Sequence, residues 1–151
     1  MSKIIKIHII NGPNLNLTGM REPGIYGQKS LDEIMALTRN YNYGTSVSIT
    51  EFQSNCEGAI IDEIQKEASI SDFIVINAGG YTHTSVALRD ALVAAETPFC
   101  EVHISNIFAR EEFRHKSMLA DKAVSVISGG GEMTYILGII AGISYLKQNL
   151  K

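Results

Sequence analysis

Phe73-Ile74-Val75-Ile76-Asn77-Ala78-Gly79-Gly80-Tyr81-Thr82-His83-Thr84-Ser85 reads as a strand, a glycine turn and the entry to a helix. Four consecutive apolar residues leave no polar face, so this strand is expected to be buried on both sides, as in a parallel sheet covered by helices. Four further apolar β-branched runs lie at residues 4–10, 47–52, 99–102 and 123–127, each bounded by Gly, Pro, Asn or Ser. Stretches of helical period separate them at 30–41, 57–68, 85–95 and 132–147, with Ser30 and Asn55 placed as caps and a shorter helical piece expected near 110–119. Strand and helix alternate along the whole chain. The expected class is therefore α/β, a doubly wound three-layer sandwich around a five-stranded parallel sheet.

The chain has 151 residues, which suits one catalytic-sized domain over 1–151 and is too short for a (β/α)₈ barrel of ~250 residues. Hydrophobic residues make up 45% and charged residues 19%, enough apolar material for a buried sheet and no signature of disorder. A formal net charge of -3 supplies no reason to bind nucleic acid or an anionic membrane. Cys56 and Cys100 lack C-x-x-C spacing and read as reduced thiols of a cytoplasmic protein, Cys100 within a strand. Residues 1–11 run straight into Asn-Gly-Pro and read as a first strand rather than a targeting segment. The apolar stretch 135–145 is too short to span a bilayer and reads as a packed helix.

In doubly wound sheets ligands bind beyond the carboxyl ends of the strands, so the residues there carry the functional reading. After the first strand comes Asn11-Gly12-Pro13-Asn14-Leu15-Asn16. Asn11 and Asn16 taken singly are turn residues, whereas three asparagines around Gly-Pro are expected to supply at least one ligand contact. Residues 11–29 then form a long connection with glycines at 19, 24 and 27 and both Arg21 and Tyr26, the composition of a hinged lid.

After the third strand, the turn at 77–85 lacks both the Walker lysine and the dinucleotide glycine pattern, so Asn77 and His83 are better suited to bonding hydroxyls than phosphates. The fourth strand ends in Glu101-Val102-His103-Ile104-Ser105-Asn106, and alternation puts Glu101 and His103 on one side. A carboxylate beside an imidazole fixes its tautomer, a pattern for a general acid. In the charged segment that follows, Arg110 or Arg114 could clamp a carboxylate, and spacing does not choose between them. His115 has no orienting neighbour and reads as structural or exposed. Paired Cys/His, H-E-x-x-H and G-x-S-x-G spacings are all missing, so neither a metal nor a serine nucleophile is expected.

Several motifs match one family in order and spacing. They are Asn11-Gly12-Pro13-Asn14-Leu15-Asn16, Arg21-Glu22-Pro23 with Tyr26-Gly27, Phe52-Gln53-Ser54-Asn55 with Glu57-Gly58, the run 77–91, Glu101 to Asn106 and Arg110 to His115. Over nearly its whole length the chain resembles the type II 3-dehydroquinate dehydratases. The resemblance implies a flavodoxin-like fold and a hydro-lyase that converts 3-dehydroquinate to 3-dehydroshikimate without metal or organic cofactor, the third step of the shikimate pathway. It implies a cytoplasmic homododecamer of four trimers. It also implies Tyr26 as base, Arg21 as its lid partner and His103 as acid. The substrate would be held by Asn77, His83, Arg114 and the Ile104–Ser105 backbone, with Asp90 contributed by a neighbouring subunit.

The chemistry suits these residue types. Taking a proton from the carbon next to a ketone builds charge on the carbonyl oxygen, which Asn14 can meet directly or through a water. A tyrosine, with an ordinary pKa of about 10, needs a cation such as Arg21 to serve as base near neutrality. Thr18, Cys56 and residues 131–134 depart from the family pattern at positions expected to carry no chemistry. Two rival readings are a flavodoxin-like module that binds a flavin or nucleotide, which would show as an absorbance band or retained ligand, and a relative acting on another cyclic hydroxy-acid.

Overall fold

The computed structural model describes residues 3–20 and 22–149, leaving out the side chains of Pro23 and Tyr26. Five parallel strands, β1 (Ile5–Asn11), β2 (Val47–Gln53), β3 (Phe73–Asn77), β4 (Phe99–His103) and β5 (Ser125–Ser128), line up in the order β2-β1-β3-β4-β5. This is the flavodoxin-like order, whose direction of winding reverses between β1 and β3. Asn11 pairs with Asn77 in register, so the two strands that flank the reversal end side by side.

Burial on both faces holds for the central strands. Every residue of β3 and β4 is buried, whereas the edge strands β2 and β5 are only partly covered because each has a neighbour on one side alone. The helices are the single turn α1 (Pro23–Tyr26), then α2 (Leu31–Asn40), α3 (Glu57–Glu67), α4 (Val86–Ala95) and α5 (Thr134–Asn149). Side chains alternate across the sheet. Ile7, Ile9, Phe73, Val75, Cys100 and Val102 pack with α2 and α5, while Ile10, Ile74, Ile76 and Phe99 pack with α3 and α4. Burial pushes the Cys100 thiol up to about 11, so it behaves as a core residue. Among the described residues no helix is long and apolar enough to cross a membrane.

Local sequence explains most boundaries. Ser30 caps α2 with a full capping box: its hydroxyl accepts from Glu33 N at 3.2 Å, and Ser30 N donates to Glu33 Oε2 at 2.7 Å. The long α5 sits unusually close to the sheet through Gly142, where a Cβ would come within 2.6 Å of the Phe73 ring.

Three expectations are corrected. The residue before α3 is Cys56 with no side-chain cap, because Asn55 is turned away and its Oδ1 accepts from Asn14 N at 3.0 Å. The region 110–119 forms no regular helix but a 3-10 turn at Glu112–Arg114, whose backbone bonds run only three residues back. The connection 11–29 also holds short local structure, a 3-10 turn at Leu15–Leu17 and α1.

Candidate active site

The carboxyl ends of β1, β3 and β4 open into one cleft of about 170 Å³. Its walls are the β1 turn (Pro13, Asn14, Leu15), the β3 turn (Asn77, Gly79, Gly80, His83), the β4 end (His103, Ile104, Ser105) and Arg110 and Arg114 from the following segment. The β1 and β3 turns meet closely because residue 12 is glycine: a Cβ there would collide with the Ala78 carbonyl. Asn14 takes a left-handed backbone (φ 67°), a conformation asparagine tolerates better than most residues, and it stands exposed at the rim.

Asn77 is buried at the floor. Its Nδ2 donates to Tyr135 Oη at 3.0 Å, and that hydroxyl donates onward to Asn11 Oδ1 at 2.5 Å. Its Oδ1 accepts from Gly79 N at 3.2 Å. The amide is therefore locked in one orientation by α5, with one Nδ2 hydrogen uncommitted among the described residues. Asn11 belongs to this support and not to the cleft surface, as its reading as a turn residue predicts.

His103 and Glu101 do share a side of β4. Glu101 is fully buried, and its Oε1 lies 3.3 Å from His103 Nε2, though off the axis of a regular hydrogen bond. The same Oε1 accepts from Ser117 Oγ, and Ser117 Oγ in turn accepts from Leu119 N and Ala120 N, both at 3.0 Å. The imidazole of His83 lies parallel to that of His103, ring centres 6.2 Å apart. His83 Nδ1 is 2.8 Å from the Lys116 carbonyl, to which it donates, so Nε2 is the acceptor in the neutral ring. Burial holds the His83 pKa below its ordinary value, with His103 and Arg114 adding to the effect, against the Lys116 carbonyl and Glu101. Arg114 Nε donates to Glu111 Oε2 at 2.8 Å, which holds the guanidinium at the cleft wall.

Of the residues singled out from sequence, Asn14, Asn77, His83, His103, Ile104, Ser105 and Arg114 line one cleft, with Glu101 directly behind. Both arginines left open by spacing line it. Asp90 does not: it is exposed on α4, outside the cleft wall. Arg21 lies outside the described residues. Tyr26 ends α1, and its side chain is likewise outside the description.

Ser117 and Tyr135 were missed, for neither belongs to a strand-end motif and their contacts join residues 16 and 58 positions apart. Two of the departures from the family pattern also fall nearer the site than expected. Thr18 is buried at the cleft, while Gly131 N donates to the Ile104 carbonyl at 3.0 Å and Thr134 Oγ1 to that of His103 at 3.4 Å.

Comparison with known proteins decides the family. The family described as Dehydroquinase class II matches residues 5–143. The chain belongs to the class II dehydroquinases. Its relatives include a 3-dehydroquinate dehydratase of Prochlorococcus marinus (strain NATL1A), 51% identical over 140 residues, 93% of this chain and 97% of the relative. The crystal structure of type II dehydroquinase from Butyrivibrio crossotus DSM 2876 superposes with a TM-score of 0.90 at 42% identity, covering 94% of this chain and 99% of that one. That from Propionibacterium acnes gives 0.84 at 34% identity, covering 97% and 100%. The expected family, the flavodoxin-like sheet and the hydro-lyase class are borne out for this dehydroquinase.

Proposed function

We propose that this dehydroquinase removes water from 3-dehydroquinate to give 3-dehydroshikimate, the third step of the shikimate pathway toward chorismate and the aromatic amino acids. The observation that carries the reading is the gathering of amide, imidazole and guanidinium groups from three strand ends around one small cleft. A space of about 170 Å³ lies below the ~300–1,000 Å³ usual for drug-sized ligands, which favours a small polar ring over a flavin or dinucleotide.

The elimination is anti and runs through an enolate. Tyr26, held as phenolate by Arg21, takes the proton next to the ketone, and Asn14 meets the charge that develops on the carbonyl oxygen, directly or through a water. His103, oriented by Glu101, then protonates the departing hydroxyl, so proton and hydroxide leave as water and no redox partner is needed. The substrate carboxylate meets the backbone of Ile104 and Ser105, and its hydroxyls meet Asn77, His83 and Arg114. Asp90 belongs to a neighbour's site within a dodecamer of four trimers, in keeping with its exposed place on α4. Two unpaired cysteines suit the cytoplasm.

Pure protein with a chelator present should convert 3-dehydroquinate to a conjugated enone, seen as rising ultraviolet absorbance. A flat trace would sink the assignment. Tyr26→Phe should remove turnover by about 10²-fold or more while leaving folding intact.

A further inference from the structure

We propose that His8, Glu63 and Glu67 form a binding site for one divalent transition-metal ion, zinc foremost, between the sheet and α3 and separate from the cleft. All three are buried, at 3%, 8% and 5% exposure. Alternation along β1 sends Ile7 and Ile9 toward α5 and His8 toward α3, where Glu63 and Glu67, four residues apart, share one helix face. The donor atoms lie within 4.8 Å of one another, so small rotamer changes bring them to the 2.0–2.2 Å bonds of zinc. None of the three lines the cleft.

The imidazole points to a cation. His8 Nδ1 is 2.6 Å from Thr50 Oγ1, a partner that sets the ring orientation. Nε2 is 3.0 Å from Glu63 Oε1, yet it is buried without an aligned hydrogen bond. When Thr50 Oγ1 accepts from Nδ1–H, the Nε2 lone pair is directed at the carboxylate pair, and a metal ion between them satisfies both.

Other charges nearby are compatible with this. Lys66 Nζ lies 3.3 Å from both Glu63 oxygens and 3.9 Å from Glu67 Oε1, but its side chain is 61% exposed and can swing into solvent. Ser71 Oγ donates to Glu67 Oε2 at 2.5 Å and orients that carboxylate. One imidazole nitrogen with two carboxylates suits zinc or manganese better than magnesium or calcium, which prefer all-oxygen shells. Zinc bound by these three ligands would complete its shell with water. The ion is structural: it ties β1 to α3 and takes no part in the dehydration, so the chelator assay above stands or falls independently.

The test is a calorimetric titration of chelator-stripped protein with zinc alone. We expect about one equivalent per chain and a higher Tm in the loaded protein. Glu67→Gln and His8→Gln should each weaken binding by about tenfold or more, while Cys56→Ser leaves it unchanged. Binding absent from wild type, or equally tight in Glu67→Gln, overturns the proposal. Should His8→Gln fail to fold, anomalous diffraction at the zinc edge on wild-type crystals decides: density beside His8 Nε2 supports the site, and zinc only elsewhere refutes it.

Discussion

His83 is a cleft residue whose surroundings disfavour its charged form. Its ring is neutral because burial, His103 and Arg114 together disfavour the charged form, and its Nδ1–H is committed to the Lys116 carbonyl. The folded pKa lies below the unfolded value of 6.5. Below that pH the unfolded chain binds the proton more readily than the native one, so stability is full above it and declines as pH falls toward the folded pKa. His83→Asn should therefore show a shallower loss of stability than wild type as pH falls below 6.5, measured by urea unfolding. Equal slopes would contradict the neutral assignment. His103 rests on different support, a carboxylate that is itself pinned by the Ser117 hydroxyl. The pairing of Glu101 with His103 was legible because alternation along a strand is a local rule. Ser117 was not, because a loop residue reaches Glu101 only after the chain has folded back.

Helices α2 and α4 begin where a serine side chain replaces a missing backbone partner. Ser30 and Glu33 satisfy two orphan N–H groups of α2 reciprocally, and a Ser-x-x-Glu spacing announces this in advance. Ser30→Ala should cost about 1 kcal/mol in urea unfolding with little change in turnover. A change well under that would mean that water replaces the cap at no cost. Asn55 shows the limit of the same logic. It has the right chemistry for a cap one residue early, yet tertiary contacts recruit its side chain to Asn14 N and Gln53 Nε2 and its carbonyl to the Tyr81 hydroxyl. The region 110–119 carried helical composition but has too few buried apolar partners to propagate beyond a 3-10 turn.

At the scale of the molecule, β2-β1-β3-β4-β5 winding sets the cleft beyond β1 and β3, and α5 supports its floor through Tyr135. Asp90 lies outside that cleft, so on the proposed function its contribution requires a second chain. Diluting the assembly to monomers should lower turnover in proportion to the trimers lost, read by the ultraviolet assay beside light scattering. Full activity in a monomer would refute the shared site. The sequence by itself determined the α/β class, the count of strands and their alternation with helices along the chain, the capped helix start and the candidate groups at strand ends, all consequences of short-range period and turn chemistry. Only the tertiary structure decided the order of strands across the sheet, the Asn77–Tyr135–Asn11 chain, the hold of Ser117 on Glu101 and the burial of His8 between two carboxylates. Those depend on which distant surfaces pack together, and no local pattern encodes a contact between residues 58 or 124 positions apart.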